Sequence, residues 1–204
     1  MAKRSAPEVN AGSMADIAFL LLIFFLVTTT IEKDSGISRK LPPMEESDED
    51  VVIKQKNIFT VLLNGKDQLL VEDELMELKD LRAAAVEFLD NGGDGSCNYC
   101  KGKRDPKSSD NPDKAIISLK NERETSYAAY ISVQNELVGA YNVLRNRRAL
   151  ELGNTPEWSK FRDMNFVEMQ VAYKDARFTG NKEKLKELID KIKVEIPQKL
   201  SEVQ

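Results

Sequence analysis

Residues 12–31 read GSMADIAFLLLIFFLVTTTI, the only apolar run of membrane length in this chain of 204 residues. A helix rises about 1.5 Å per residue, so this run would extend for about 30 Å, which is the thickness of the hydrocarbon core of a bilayer. The run is apolar on every face, whereas a helix packed in a globular core usually keeps a polar face. The sequence therefore predicts one transmembrane helix over residues 12–31.

One acidic residue, Asp16, lies inside this run. A carboxylate near the centre of a membrane helix costs about 2.5–3.5 kcal/mol on insertion scales, and such residues usually line an ion path or have a partner. We interpret Asp16 as a candidate proton carrier. The alternative is a hydrated carboxylate near the headgroups, because Asp16 is about one helical turn from Gly12. Ser13 is a candidate neighbour on a proton path, because it shares the helix face of Asp16. Three further candidates lie near the other end of the run: Thr28, Thr29 and Thr30. The alternative for these threonines is that their hydroxyls hydrogen-bond only their own backbone.

Charges beside the run indicate its orientation. Lys3 and Arg4 precede it closely, whereas acidic residues offset Lys33 just after it. Because positively charged flanks stay in the cytoplasm, residues 1–11 are predicted to be a cytoplasmic tail. The bulk of the chain is predicted to lie on the other side of the membrane. A cleaved signal peptide is disfavoured, since no small-residue cleavage site follows the run.

The exported part is predicted to have a linker and one domain. Residues 32–50 contain a Pro-Pro pair and an acidic stretch, which are typical of a stiffened, solvated linker. A segment that docks a partner is the alternative for this linker. Residues 51–204 are predicted to form the domain.

Composition excludes several classes of function. The net charge of −4 and the sequence pI of about 5.2 argue against nucleic-acid binding, which needs a basic surface facing phosphates. The chain has no histidine, which excludes Ser-His-Asp and Cys-His catalytic machinery and any histidine-containing metal site. Other enzyme classes stay open on composition alone.

The sequence predicts an α+β class for the exported domain. β-branched and aromatic residues predict strands at 51–53 and 58–63, and Asn64-Gly65 predicts a turn into a strand at 68–71. Apolar residues at helical spacing predict a helix over 75–89, and Thr125-Ser126 is a candidate cap of a long helix that ends near Gly153. The remaining predicted elements are strands at 115–120 and 165–173 and a helix at 182–194. We expect an α/β-sandwich-like arrangement with a small mixed sheet and helices on one face.

A polar insert at about residues 91–112 carries both cysteines, Cys97 and Cys100. Their Cys-x-x-Cys spacing in an exported compartment favours a local disulfide that staples the insert. Redox exchange, a metal ion shared between chains and the absence of any special role are the alternatives. A zinc site within one chain would need two further ligands, and residues 90–101 lack the calcium ligands expected at loop positions three and twelve. We therefore assign no metal site.

The sequence around the apolar run resembles a known family. Glu8-Val9-Asn10 is followed, six residues after the asparagine, by Asp16, and then by an aliphatic-aromatic span and Leu41-Pro42. This pattern resembles the ExbD/TolR biopolymer-transport proteins, and residues 13–25 are particularly similar to ExbD-like chains of the Bacteroidota type. The resemblance covers about residues 7–43, and the order of elements over 51–152 supports it.

The resemblance implies a single-pass subunit of a bacterial inner-membrane motor, with a cytoplasmic N-terminus and a periplasmic domain. A dimer of such chains places its helices inside an ExbB-like ring-forming membrane protein, and Asp16 matches the family's proton-carrying aspartate. A TonB-like or TolA-like energy transducer then transmits force to the outer membrane. The resemblance implies no enzyme activity and no cofactor. This chain has Ser13 where the family commonly has proline, and its insert and the residues after Gly153 exceed the compact domain of better-known members.

Three other functions compete with a transport motor. A TolQ-TolR-TolA-like envelope-maintenance subunit would share the same family pattern. A flagellar-type stator subunit would need a peptidoglycan-binding domain, for which the sequence provides no indication. A membrane-tethered thiol oxidoreductase would rest on Cys97 and Cys100 alone, without the βαβ context expected of thioredoxin-like proteins. We therefore predict a proton-channel subunit that uses the proton-motive force to energise transport across the outer membrane.

Overall fold

The computed structural model describes residues 11–28 and 54–203. The chain divides into two compact units, residues 1–50 and 51–204. The described part of the first unit is one helix, α1, at Ala11–Thr28. Several predicted segments lie outside the described residues: residues 1–10 of the tail, residues 29–31 of the membrane helix, the linker at 32–50 and the strand at 51–53. Across 11–28 and 54–203, no helix combines the length and the apolar character needed to cross a membrane.

The second unit is built on a five-stranded mixed sheet, which confirms the α+β class. Its spatial order is β3-β2-β1-β4-β5, in which β1 pairs antiparallel with β2 and parallel with β4. The β2–β3 pair is antiparallel and the β4–β5 pair is parallel. The strands are β1 at Ile58–Leu63, β2 at Leu69–Val71, β3 at Glu74–Met76, β4 at Ile116–Asn121 and β5 at Leu200–Val203.

Two tight turns connect the first three strands. In the first, the Asn64 side-chain oxygen accepts hydrogen bonds from the backbone N–H groups of Lys66 and Gln68, each at 2.9 Å. This closes the loop between β1 and β2 and confirms the predicted turn. In the second, Glu72 and Asp73 have φ angles of 49° and 68°. Left-handed backbone at both central residues matches the twist of the flanking strands, so β2 turns directly into β3.

One face of the sheet packs against two helices, α2 at Leu78–Leu89 and α3 at Tyr127–Gly153. Alternate β1 residues are buried, and Phe59 and Val61 align with Ile117 and Leu119 of β4. These side chains and the apolar stripes of both helices form the first hydrophobic core. The predicted helix at 75–89 is wrong at its start, because Leu75 lies in β3 and is 72% exposed.

The long helix α3 has the limits that the sequence predicts. The Ser126 hydroxyl accepts a hydrogen bond from the Ala129 N–H and caps its first turn. Gly153 ends it, and a Cβ at this position would lie 2.8 Å from the Cα of Arg162. The absence of a side chain at 153 therefore lets the chain fold back closely after the helix.

A second hydrophobic core lies beyond the sheet, around the C-terminal end of α3. It is formed by a 3₁₀ segment at Pro156–Phe161 and two helices, α4 at Phe166–Lys174 and α5 at Lys182–Glu195. Its largest buried side chains include Phe166, Met169, Leu185 and Leu188. Because α3 contributes to both cores, it joins the sheet to this helical region. The predicted helix at 182–194 is confirmed, and β5 after it is an element that the sequence analysis missed.

The strand predicted at 165–173 is wrong, because these residues form α4. The Asn165 side chain accepts from the Glu168 N–H, and the Glu168 carboxylate accepts from the Asn165 N–H, which together make a capping box. Phe166 and Met169 are buried three residues apart, a helical spacing. The Asn-x-x-Glu pattern, which marks a helix start, therefore predicts the structure of this stretch better than the alternation of its apolar residues does.

Candidate functional site

Asp16 lies on the surface of α1, as the sixth residue of that helix. It is the only ionisable residue within Ala11–Thr28. At 3.6 residues per turn, it shares its face with Gly12, Phe19 and Leu20. All side chains that the structure describes in α1, those of residues 12 and 14–25, are exposed. Asp16 is therefore a single carboxylate on a helix whose surface is otherwise almost entirely apolar.

Of the other predicted residues of this site, Ser13 is near Asp16 and Thr28 is not. Ser13 precedes Asp16 by three residues in α1, a spacing that places both positions on one face of the helix, whereas Thr28 is twelve residues after Asp16. A rise of 1.5 Å per residue separates Asp16 and Thr28 by about 18 Å along the helix axis, which is far beyond hydrogen-bond reach. Thr29 and Thr30 lie outside the described residues. Any proton path from Asp16 to the threonines therefore needs groups from other chains or water.

The second predicted feature, the cysteine pair, forms a disulfide in the structure. Cys97 and Cys100 are bonded, with their Cα atoms 5.5 Å apart, and each residue is 5% exposed. Gly92 has a φ of +65°, and a Cβ there would lie 3.0 Å from the Cβ of Cys100. A thiol must reach a disulfide sulfur to exchange with it, so burial against this glycine favours a structural role over redox exchange.

Tyr99, between the two cysteines, connects the insert to the end of α5. Its hydroxyl donates to the Glu195 carbonyl at 2.6 Å, and the Arg148 guanidinium lies 4.7 Å from its ring centroid. Arg148 also donates to the Glu195 carboxylate at 2.6 Å. Burial, followed by the negative charge of Glu195, raises the pKa of Tyr99 to about 12. The hydroxyl therefore stays protonated and keeps this hydrogen bond at neutral pH.

The insert is held at its start by Asp90 and Asn91. Arg147 of α3 makes a bidentate ion pair with Asp90, with N–O distances of 2.7 and 2.5 Å. The Asn91 amide donates to the carbonyls of Asp105 and Ser109, both at 2.8 Å. Asp90 and Asn91 are both buried. These bonds fix the insert on the body of the domain.

Asp110 holds the other end of the insert. Its buried carboxylate pairs with Lys56 and accepts from the Asn57 amide at 3.3 Å, and its N–H donates to the Asn57 side-chain oxygen at 2.8 Å. The hydrogen bond from Lys56 holds the pKa of Asp110 below its usual value. Sequence analysis missed Asp90, Arg147 and Asp110, because their partners are more than fifty positions away along the chain and no local pattern connects them.

The described part of the second unit contains no candidate metal site. Among its residues and those of α1, no group of three or more histidine, cysteine, aspartate or glutamate side chains could hold a metal ion. Four charged side chains of the insert are paired with groups outside it: Asp94 with Lys114, Lys101 with Glu151, Lys103 with Glu87 and Asp110 with Lys56. Asp16 stays the predicted site of proton chemistry.

Comparison with known proteins assigns the chain to a family. The profile described as biopolymer transport protein ExbD/TolR matches residues 2–146, which include α1, Asp16 and most of α3. The chain belongs to the ExbD/TolR family. It is also similar to biopolymer transport protein exbD2 of Vibrio cholerae, with 27% identity over 94 residues, which are 46% of this chain and 67% of that protein. The family resemblance of the sequence is confirmed.

Membership of the ExbD/TolR family indicates a subunit of an energy-transducing complex for biopolymer transport. Proteins of this family are generally membrane-associated and work with ExbB- or TolQ-type and TonB- or TolA-type partners. The family match ends at residue 146, so all the buried residues of the second hydrophobic core, from Ala149 to Ile192, lie beyond it. This chain therefore adds a helical region to the matched part.

Proposed function

We propose that this ExbD/TolR chain is the proton-carrying subunit of a complex that uses the proton-motive force to energise transport across the outer membrane. Residues 12–31 span the bacterial inner membrane once, with residues 1–11 in the cytoplasm and residues 51–204 in the periplasm. Asp16 takes up and releases the proton. The observation that carries the proposal is the position of this lone carboxylate on the apolar surface of α1, within the family match.

The surface of α1 supports a place among lipids and other membrane helices. Its large apolar side chains from Ile17 to Phe25 are 41% to 60% exposed. Apolar surface of this extent is unfavourable in water by about 25 cal/mol per Å². An ExbB-like ring around two copies of the helix would cover it and would surround Asp16 with protein instead of lipid. We accordingly infer a homodimer inside a ring-forming partner.

Protonation of Asp16 would change the charge of the helix by one unit. A transmembrane potential supplies about 2.3 kcal/mol per elementary charge per 100 mV, enough to bias the choice between two positions of the helix in its ring. The neutral carboxylic acid is the form that tolerates an apolar surface, and the carboxylate is the form that favours a polar or hydrated one. Alternating between these environments would couple proton passage to helix movement.

The periplasmic domain would transmit this movement to a TonB-like energy transducer. The proposal requires no enzyme activity and no cofactor, and the four ion pairs that join the insert to the rest of the domain fit a mechanical role. The same family also fits a TolA-like transducer and envelope maintenance. Uptake of a substrate of TonB-dependent receptors and resistance to detergents separate these two roles.

Asp16→Asn tests the proposal, because it keeps the size and shape of the side chain while removing its ability to ionise. We expect a loss of proton-gradient-dependent uptake of at least about 100-fold, with normal membrane levels and normal co-purification of the ring partner. Asp16→Glu keeps the carboxylate and is expected to retain part of the uptake. The matched control is Ala18→Ser, a small polar change on the opposite side of the same helix turn.

Normal uptake together with normal resistance to detergents in Asp16→Asn would contradict the proton-carrying role. Loss of ring assembly in both Asp16→Asn and Asp16→Glu would assign Asp16 a structural role instead. Intact uptake together with detergent sensitivity would favour the envelope-maintenance function.

A further inference from the structure

The insert contacts the connection between α5 and β5. The Tyr99 hydroxyl donates to the carbonyl of Glu195, the last residue of α5, at 2.6 Å. The Tyr99 ring packs against the first hydrophobic core, and the Arg148 guanidinium contacts both this ring and the Glu195 carboxylate. A tyrosine of the insert therefore holds the chain just before β5 begins.

β5 is a short strand at the edge of the sheet. It contains four residues, Leu200–Val203, and pairs with β4, while no strand within residues 54–203 pairs with its other side. Leu200 is only partly buried, and Ser201 and Glu202 are exposed. A short edge strand with little buried apolar surface opens locally more readily than the centre of a domain. The attachment of β5 therefore depends on how the residues just before it are held.

Among the described residues, three side chains hold this connection by its backbone carbonyls. Arg145 donates to the Ile196 carbonyl at 3.0 Å, and the Tyr141 hydroxyl donates to the Lys199 carbonyl at 3.1 Å. Both of these donors are buried residues of the long helix α3. Tyr99 is the third donor, and it is the one that the insert supplies. The position of the insert therefore decides one of the contacts that fix the approach to β5.

The disulfide holds Tyr99 in place. Cys97 and Cys100 flank this tyrosine and are bonded to each other. Within the described part of the chain, no backbone-to-backbone hydrogen bond involves residues 97–100, and the Tyr99 carbonyl accepts one hydrogen bond, at 3.4 Å, from Arg147. A covalent link across such a short segment restricts its backbone conformations. Without the link, the segment gains conformations in which the Tyr99 hydroxyl does not reach α5.

We propose that the Cys97–Cys100 disulfide is a redox-sensitive device that controls how firmly β5 is held on the sheet. A dithiol that reduces the disulfide gives it two electrons and two protons, so that two cysteine thiols form and the dithiol becomes a disulfide. The segment around Tyr99 then loosens, its hydroxyl leaves the Glu195 carbonyl, and β5 opens more often.

The burial of both cysteines sets the rate of this change. A dithiol reaches the sulfurs only when the insert opens locally, so the reduced state forms slowly. This agrees with a disulfide that is not a redox-exchange centre. The device belongs to the second unit and does not depend on proton transfer by Asp16.

Hydrogen exchange of the full-length chain in detergent micelles, followed by mass spectrometry, tests the proposal. The readout is the exchange rate of the β5 amides, at residues 200–203. In the chain with the disulfide, we expect Tyr99→Phe to raise this rate about fivefold, because one hydrogen bond is lost. In the chain that also carries Cys97→Ser and Cys100→Ser, Tyr99→Phe should change the rate by less than about twofold, because the hydroxyl has already left its partner.

The remaining variants separate this contact from a general loss of stability. Complete reduction of the wild type with dithiothreitol, like the two cysteine substitutions, should raise the β5 exchange rate at least about fivefold. Tyr141→Phe is the matched comparison, because it removes a hydroxyl that holds Lys199 from α3, and it should raise the rate about fivefold with or without the disulfide. Tyr173→Phe on α4, where Tyr173 is 39% exposed, should leave the rate unchanged.

Equal acceleration by Tyr99→Phe with and without the disulfide would overturn the proposal, because the contact would then not need the disulfide. An unchanged β5 rate in the fully reduced wild type, with the reduction verified by mass, would overturn it too. So would a Tyr173→Phe variant that exchanges as fast as Tyr99→Phe. A Tyr99→Phe effect that disappears in the cysteine variant, while the Tyr141→Phe effect persists, would support the proposal whatever the outcome of the uptake experiment.

Discussion

Helices α1 and α5 lie in different units and use their apolar residues in opposite ways. In α5, Leu185, Leu188, Ile189 and Ile192 are buried in the second core, and lysines and glutamates cover the rest of the helix. In α1, every side chain that the structure describes is exposed, and all but Asp16 and Gly12 of these are apolar. The packing of α5 within its own unit therefore stabilises it, whereas the apolar side chains described in α1 have no such cover within the chain.

The same substitution in both helices tests this contrast with the largest expected effect on stability. Leu188→Ala should lower the free energy of unfolding of the second unit by about 3 kcal/mol, because it leaves a cavity in a fully buried site. Leu22→Ala in α1 should change it by less than about 0.5 kcal/mol. Urea unfolding of the full chain in micelles, followed by the fluorescence of Trp158, measures both. Equal effects of the two substitutions would contradict the difference in packing between α1 and α5.

Removal of the disulfide is the next test, because this covalent cross-link is expected to raise the free energy of unfolding of the second unit. Replacing both cysteines, Cys97→Ser with Cys100→Ser, should lower the free energy of unfolding by about 2 kcal/mol, the value expected for closing such a short loop. Dithiothreitol should destabilise the wild type similarly and leave the double variant unchanged. Full stability of the double variant would mean that Asp90, Asn91 and Asp110 hold the insert without the disulfide.

The pH dependence of stability tests the Asp110 contact. Since Lys56 lowers the pKa of Asp110 in the folded state, the ionised carboxylate stabilises the fold fully above the usual carboxyl pKa of about 3.9, and this stabilisation is lost as the pH falls through the lowered value. Asp110→Asn should therefore be less stable than the wild type by about 1.5 kcal/mol at pH 7, with a smaller difference below about pH 4. A difference that is constant with pH would exclude this ionisation as its cause.

The smallest expected effect concerns the cap of α4. Asn165→Ala removes the side chain that accepts from the Glu168 N–H and should lower the free energy of unfolding by about 1 kcal/mol. Asn181→Ala provides a matched case, because Asn181 caps α5 in the same way, accepting from the Lys184 N–H at 3.0 Å. Loss of α4 helicity in hydrogen exchange, without a change at α5, would show that the cap decides this element locally.

Much of the fold could be predicted where the determining residues are close in sequence. The turn at Asn64, the cap at Ser126 and the stop at Gly153 depend on contacts within a few residues or on a single backbone position, and all three are present. The start of α2 and the identity of α4 were wrong where two local patterns competed. At 165–173, the alternating apolar residues led to a strand prediction although the sequence also contains a helix-capping pattern. The burial of both Phe166 and Met169 in the structure shows that the helix is correct.

The family, the α+β class and the apolar stretch with its single carboxylate could be recognised from the sequence alone, because composition, residue spacing and local motifs carry these features. Only the tertiary structure decided that β5 completes the sheet beside β4, that α3 serves two cores, and that Arg147 and Lys56 anchor the insert. The physical reason is that these contacts join residues far apart in the chain, where pairing depends on which surfaces meet after folding.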